Sequence, residues 1–239
     1  MTKVSVIIPT YNRWNLLIKA IGSVMAQTMS DFELIVSDDG STDDTEMVVT
    51  DLAKQDSRIQ YIRSDTNRGV AWAIRNGVEA SRCERFSLLS DDDEYRTAYL
   101  ETLCHALDEN QQYDMVYCGV YVEYWDSIFG GRAGENVIMA LGSPHELPSR
   151  NVVWGFMAKR QMYNALGGWP TDLHVANDWH FFLKAYASGM NMIRIEDPLY
   201  VYRYWTGGHT FTDRLRQLNE SDEIVRMYQE GLLDVRKKS

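Results

Sequence analysis

Four consecutive carboxylates, Asp91-Asp92-Asp93-Glu94, follow directly on the apolar run Phe86 to Leu89. Like charges packed this closely repel, and at the end of a buried strand they are partly desolvated as well. Two arrangements relieve that. A hard divalent cation takes oxygen ligands, and one that handles diphosphates uses one or two protein carboxylates, with phosphate oxygens and water completing its shell. Alternatively the run is an acidic turn that caps the next helix. The segment by itself leaves both open.

Two more polar clusters stand behind apolar runs. Thr10-Tyr11-Asn12-Arg13 follows Val4 to Ile8 and Pro9, and Asp38-Asp39 follows Phe32 to Val36. In an open parallel sheet, ligands bind beyond the carboxyl ends of the strands. Three such clusters on one edge predict a shared site. A separate carboxylate, Asp178, sits among Trp179, Phe181 and Phe182, apolar neighbours that would raise its basicity. A helix cap after Ala176-Asn177 is one reading of it.

The elements that must position these groups alternate strand and helix over about the first 120 residues, in the manner of a parallel sheet with covering helices. Strands are expected at Val4–Ile8, Phe32–Val36, Ile59–Ile62, Phe86–Leu89 and Met115–Val122. Leu16, Leu17, Ala20, Ile21, Val24 and Met25 recur at helical spacing, and Leu100, Leu103, Cys104 and Leu107 form an i, i+3, i+4, i+7 stripe that reads as core. Residues 124–150, rich in Gly, Pro and polar types, read as a long loop region. Beyond them come a short helix ending at Gly167-Gly168, a helix from Asp178 to Ala187, and strands at Met192–Ile195 and Leu199–Tyr204. An amphipathic C-terminal helix carries Leu215, Leu218, Ile224, Met227 and Leu232. The fold class is α/β, a single domain with a mostly parallel central sheet flanked by helices.

With 239 residues, the chain can bury one substantial core. A net charge of −10 argues against a nucleic-acid binder and means that an anionic substrate needs local help from a metal or arginines. Cys83, Cys104 and Cys118 have neither zinc spacing nor a disulfide framework, which predicts a reducing compartment. No apolar run approaches the ~20 residues that span a bilayer, and the strand beginning at Val4 leaves no room for a signal peptide. A cytoplasmic location is expected. The tail Arg236-Lys237-Lys238 is either a solvated end or a peripheral contact for an anionic membrane surface.

The motifs together carry a resemblance. Val4 through Arg13, Phe32 through Asp43, Asn67-Arg68-Gly69 through Gly77, Gly167-Gly168-Trp169, Asn177 through Phe182 and Tyr202-Arg203 are similar, in order, to the motifs of family 2 (GT-A fold) glycosyltransferases. The chain also resembles small bacterial members of that family linked to spore-coat polysaccharide. The resemblance implies a nucleotide-sugar-binding half (1–122), an acceptor-side half (123–211) and a C-terminal helix (212–239).

It implies an inverting transferase that moves a sugar from a UDP- or dTDP-sugar to a hydroxyl of a saccharide or lipid-linked acceptor, in bacterial polysaccharide or glycan biosynthesis. Pro9, Thr10 and Tyr11 would form the nucleotide floor, with Tyr11 stacking on the base. Asp39 would accept the base's ring N–H, and Arg68, with Arg75 as a rival, would meet the diphosphate. Where the commonest family pattern reads Asp-x-Asp-Asp, this chain reads Ser90-Asp91-Asp92-Asp93. Asp92 then falls on the metal ligand and Asp91 on a ribose or metal-shell contact, so weak binding of manganese or magnesium is expected, completed by the diphosphate. The resemblance makes Asp178 the general base and offers His209 as a metal or diphosphate contact, while a lone His in a polar loop is otherwise simply solvated. Trp154 and Trp169 are candidates for an acceptor platform or for core packing. Two other functions stay open. A nucleotidyltransferase would want a glycine-rich basic loop after the first strand, and Thr10 to Asn15 has no glycine. A binding or scaffold module without turnover is suggested by Ser90 and opposed by Asp178. The oligomeric state is open.

Overall fold

The computed structural model describes residues 3–125, 137–139, 142–151, 153, 155–205 and 213–238. Strands β1 (Val4–Thr10), β2 (Phe32–Asp38) and β3 (Ile59–Arg63) alternate with helices α1 (Trp14–Met25), α2 (Thr45–Gln55) and α3 (Val70–Ala80). Then come β4 (Arg85–Leu88), the short β5 (Glu94–Tyr95), α4 (Tyr99–Glu109) and the long β6 (Met115–Trp125). The second half contributes β7 (Val137–Met139), β8 (Phe156–Lys159), α5 (Arg160–Ala165), α6 (Asn177–Ala187), β9 (Met192–Trp205) and α7 (Arg214–Gln229). No helix among the described residues is long and apolar enough to cross a membrane.

The strands form one sheet in the order β3-β2-β1-β4-β8-β6-β9-β5, with β7 against β6. The long ladders are parallel: β1 with β2, β2 with β3, and β6 with β9. β1 also pairs in parallel with β4. The single α/β domain with a mostly parallel sheet is therefore as the sequence predicts. All seven residues of β1 are buried. Val4, Val6 and Ile8 join the layer built with Leu17 and Ile21 of α1 and Leu100 and Leu103 of α4. Ile7 joins the opposite layer with Ile74 of α3, Phe86, Trp169 and Phe181. A strand covered on both faces has to be apolar throughout, which is why β1 reads as an unbroken run.

Several details differ from expectation. β8 is a strand, pairing antiparallel with both β4 and β6, and it stitches the two parallel halves together. The expected loop at 124–150 contains β7 and a 3₁₀ turn at Pro144–Glu146 closed by a Ser143/Glu146 capping box; residues 126–136 and 140–141 of it lie outside the described residues. The two late strands are one, β9, with a register shift where Gly119 of β6 lies opposite Pro198. Proline has no N–H for the ladder, so the irregularity sits where a bond cannot form. On α7 only part of the expected apolar stripe is used. Ile224 is buried, whereas Leu215, Leu218 and Leu232 are exposed. The apolar contact of α7 with the body of the protein runs through Ile224, Val225, Met227 and Tyr228. Arg236 folds back onto Asp234, at 2.8 Å from Nε to Oδ1, so the basic tail is partly engaged by its own chain. The three cysteines are free and buried.

Gly119 has a packing reason. A Cβ there would meet the Glu196 carbonyl oxygen at 2.6 Å, and that oxygen belongs to backbone that cannot swing away. Gly119→Ala is expected to destabilise the domain by about 1–3 kcal/mol, read from the denaturant midpoint; an unchanged midpoint would contradict the close β6–β9 approach.

Candidate active site

β1, β2 and β4 run parallel, so their carboxyl ends open on one edge. A cleft of about 640 Å³ lies along that edge, lined by Pro9, Thr10, Tyr11, Asp39, Asp91, Asp92 and, from the second half, by Asn151, Asp178 and Trp205. Clefts of a few hundred Å³ suit small-molecule ligands.

The nucleotide-side wall is held by side-chain bonds to backbone. Asn12 has φ +54; its N–H donates to Ser41 Oγ at 2.8 Å, and its Oδ1 accepts the N–H of Thr42 at 2.7 Å. The loops after β1 and β2 are thus tied together. Asp38 is occupied by structure, accepting from Ser41 N–H at 2.9 Å and from the Tyr61 hydroxyl at 2.5 Å. Asp39 is not a helix cap. It accepts the N–H groups of Arg68 at 3.0 Å and Gly69 at 2.6 Å, so it fixes the turn ahead of α3. Gly69 makes that turn with φ +98, a value that disfavours any side chain. Burial pushes the Asp39 carboxyl up, opposed by those two N–H groups. Tyr11 is 41% exposed and borders the cleft, leaving its ring available to a ligand.

Arg68 packs on a neighbouring aromatic. Its guanidinium lies 3.5 Å from the centre of the Trp72 ring, and it is not among the residues lining the cleft. Its rival Arg75 pairs with Glu79 at 2.8 Å and is also absent from the lining. The arginines that do line the cleft are Arg13, Arg203 and Arg216. Arg13 follows Asn12 in the first motif, and Arg203 stands in the Tyr202-Arg203 pair. Neither could be matched to a carboxylate from spacing, because their partners lie 78 and 110 positions away.

The four carboxylates divide their work. Asp91 accepts from Thr10 Oγ1 at 2.8 Å and from Arg13 Nη1 at 3.3 Å. Asp93 is buried and accepts from the Tyr200 hydroxyl at 2.6 Å and the Arg203 N–H at 2.9 Å, which ties the loop to β9. Glu94 pairs with the Arg203 guanidinium. Burial, reinforced by the charge of Asp92, pushes both Asp91 and Asp93 well above the usual carboxylate range. Asp92 uses one oxygen only: Oδ2 accepts from Arg13 at 3.3 Å and from the Trp205 indole at 3.1 Å.

Among the described residues, no group of three or more His, Cys, Asp or Glu is assembled to hold a metal by itself. Of the three aspartates in the run, Asp92 is the one that keeps an oxygen, Oδ1, without a donor among the described residues. That fits a hard cation that takes one protein carboxylate and fills its shell from a diphosphate and water. His209 lies outside the described residues, as does Trp154. Trp169 is core: it is 1% exposed, stacks on Phe181 at 4.5 Å between ring centres, and donates its indole N–H to Asn177 at 2.8 Å.

Asp178 stands in the first turn of α6 and lines the same cleft. Its Oδ1 accepts the Trp179 N–H at 2.7 Å and its Oδ2 accepts from Asn151 Nδ2 at 2.9 Å. Burial raises its pKa to about 6 against those two bonds. The apolar neighbours are where the sequence places them: Phe181 and Phe182 are buried, and Trp179 is nearly so. Asn151 was not foreseen, since nothing in its local sequence distinguishes it; only the folded contact does.

The comparisons agree with this geometry. The Bacillus subtilis protein "Uncharacterized glycosyltransferase EpsJ" is 29% identical over 212 residues, covering 84% of this chain and 60% of that protein. The Campylobacter jejuni "GalNAc(5)-diNAcBac-PP-undecaprenol beta-1,3-glucosyltransferase" is 44% identical over 110 residues, 46% of this chain and 36% of that one. The chain thus spans less than two thirds of these relatives' lengths. Among solved structures, S. aureus TarS 1-349 in complex with UDP-GlcNAc superposes with a TM-score of 0.72 at 19% identity, covering 96% of this chain and 72% of that chain. The Pyrobaculum calidifontis mannosyltransferase PcManGT, in complex with GDP-Man and Mn2+, gives 0.66 at 22% identity over 90% of this chain and 60% of that one. These likenesses show the GT-A fold. Residues 5–169, which hold every strand-end cluster on the nucleotide side of the cleft, match the glycosyl transferase family 2 profile, and the chain belongs to that family.

Proposed function

We propose that the protein is an inverting glycosyltransferase that moves a sugar from a UDP- or dTDP-sugar to a hydroxyl of a saccharide or lipid-linked acceptor in bacterial glycan assembly. One observation carries the reading. Asp178, with its basicity raised to about 6, lines the same cleft as Tyr11, Asp39 and Asp92. The UDP-GlcNAc held by TarS and the lipid-linked substrate named for the Campylobacter relative support the choice of sugar donor and acceptor.

Tyr11 offers its ring to the base, and Asp39 stands beside it with a buried carboxylate for the ring N–H. The acceptor hydroxyl meets Asp178, which takes its proton as the oxygen attacks the anomeric carbon and the bond to the diphosphate breaks on the opposite face. The Asn151 amide and the Trp179 N–H hold the carboxylate in one orientation during the transfer. Manganese or magnesium held by Asp92 would, when bound, neutralise charge on the departing diphosphate. Glycosidases need a second carboxyl as an acid because an alkoxide leaves poorly. A nucleoside diphosphate leaves as a stable anion, so one carboxylate suffices. In this scheme the 1–122 half binds the nucleotide sugar and the 123–211 half faces the acceptor.

Asp178→Asn is expected to retain UDP affinity and to lose transfer by about a hundredfold or more; transfer at the parent rate would remove Asp178 as base. Asp92→Ala should weaken UDP binding mainly when manganese or magnesium is present, and calorimetry showing the same loss with and without metal would contradict the ligand role. Asp178 must be ionised to accept a proton, so turnover should fall as pH drops below about 6. Asn151→Ala removes a bond that favours the ionised form, so this acid limb should move to higher pH; a limb that stays put would separate Asn151 from the base.

A further inference from the structure

α7 carries a carboxylate whose bonds all fall on one short run of backbone. Glu220 Oε1 accepts the N–H of His174 at 3.0 Å, and Oε2 accepts those of Val175 at 2.9 Å and Ala176 at 3.0 Å. Three successive N–H groups turned to one point make an anion-binding concavity, and here the anion is the chain's own. The run leads straight into α6. Ala176 is the residue ahead of the helix, no side chain caps that end, and Asp178 follows two positions later.

The same turn borders the cleft, with His174, Val175 and Ala176 in its lining. A Cβ on Gly69 would meet His174 Nδ1 at 3.8 Å, and Gly69 is the residue whose N–H Asp39 holds. Asp213, Arg216, Gln217 and Ser221 also line the cleft, from α7 and its approach. Burial would raise the Glu220 carboxyl, yet the three N–H donors outweigh it and hold the group below the usual carboxylate range, so it is anionic at neutral pH. A glutamine in its place keeps only one oxygen for three donors, and its NH₂ group faces N–H groups it cannot satisfy.

We propose that Glu220 is a positioning residue: it clamps residues 174–176 and so fixes the direction in which Asp178 presents its carboxylate to the acceptor. The proposal rests on Asp178 being the base. It also makes α7, which lies beyond the matched residues 5–169, part of the catalytic apparatus rather than a cover.

The test compares the full chain with Glu220→Gln, Asp178→Asn and the double variant, and uses Glu220→Asp, which keeps the charge on a shorter arm, as a second probe. Hydrogen exchange reads the clamp without any substrate: amides 174–176 should exchange at least about tenfold faster in Glu220→Gln while β1 keeps its protection. UDP affinity by calorimetry should stay within about twofold, while transfer of the sugar to water, read as release of UDP from UDP-N-acetylglucosamine or UDP-glucose or of dTDP from dTDP-glucose, loses about ten- to a hundredfold in kcat at unchanged KM for the sugar nucleotide. Glu220→Asp should fall between. Adding Glu220→Gln to Asp178→Asn should cost nothing more, because the positioned group is already gone. Unchanged exchange at 174–176, a kcat equal to the parent, parallel losses of UDP affinity and kcat, or independent losses that multiply in the double variant would each overturn the proposal. Asp178→Asn turning over at the parent rate, or a parent chain that releases no nucleotide from any of the three, would instead sink the underlying reading and take Glu220 with it.

Discussion

Asp93 is the point at which the two halves of the sheet are joined at the site. Its buried carboxylate accepts the Tyr200 hydroxyl and the Arg203 N–H, both on β9. A lone buried carboxylate is costly, and leaving either partner unmade exposes that cost in full. The acidic loop after β4 therefore cannot drift from β9. With Asp93 fixed, Asp91 is drawn to Thr10 at the end of β1, and Asp92 is left facing Arg13 and Trp205. Four adjacent carboxylates become tolerable because each finds a donor, with Arg13 shared by Asp91 and Asp92, Arg203 shared by Asp93 and Glu94, and Thr10, Trp205 and Tyr200 adding one bond each. One consequence is chemical: of the three aspartates, the second retains an oxygen for a ligand among the described residues.

Asp178 follows a different logic. It sits at a helix N-terminus, which favours the ionised form, and it accepts two hydrogen bonds. Burial among Trp179, Phe182 and Asn177 still outweighs them and lifts its basicity. The result is a group that is largely ionised at neutral pH yet a better proton acceptor than an exposed aspartate. The aromatic layer of Phe156, Trp169, Phe181 and Phe182 supplies the rigid backing, with ring centres 4.5 to 6.3 Å apart. Trp169, 1% exposed at the edge of the cleft, gives α6 a fixed seat through Asn177 and Phe181.

What could be read from the sequence was whatever depends on local periodicity and strand-end chemistry. β1, β2, β3, α1 and α6 lie within a residue or two of their expected bounds, because buried parallel strands and amphipathic helices announce themselves. β8 did not, since a four-residue strand pairing with β4 and β6 has no periodicity of its own. The acidic run was legible as a site but not in its division of labour. That Asp93 is structural and Asp92 available depends on Tyr200 and Arg203, more than a hundred residues on. For Arg68 the motif gives the loop ahead of α3 but not the Trp72 ring on which its guanidinium lies. Asn151 and Glu220 carry no local signal at all, and their bonds to Asp178 and to residues 174–176 exist only after folding.

The central claim is that a nucleotide sugar lies between Asp92 and Asp178. The most direct measurement is a crystal of the protein grown with Mn²⁺ and a 2-fluoro UDP-sugar, with the metal located by its anomalous scattering. The account predicts a manganese peak against Asp92, with the uracil over Tyr11 and the anomeric carbon turned toward the carboxylate of Asp178. A nucleotide bound outside this cleft, or one whose sugar points away from α6 with no scatterer near Asp92, would contradict it.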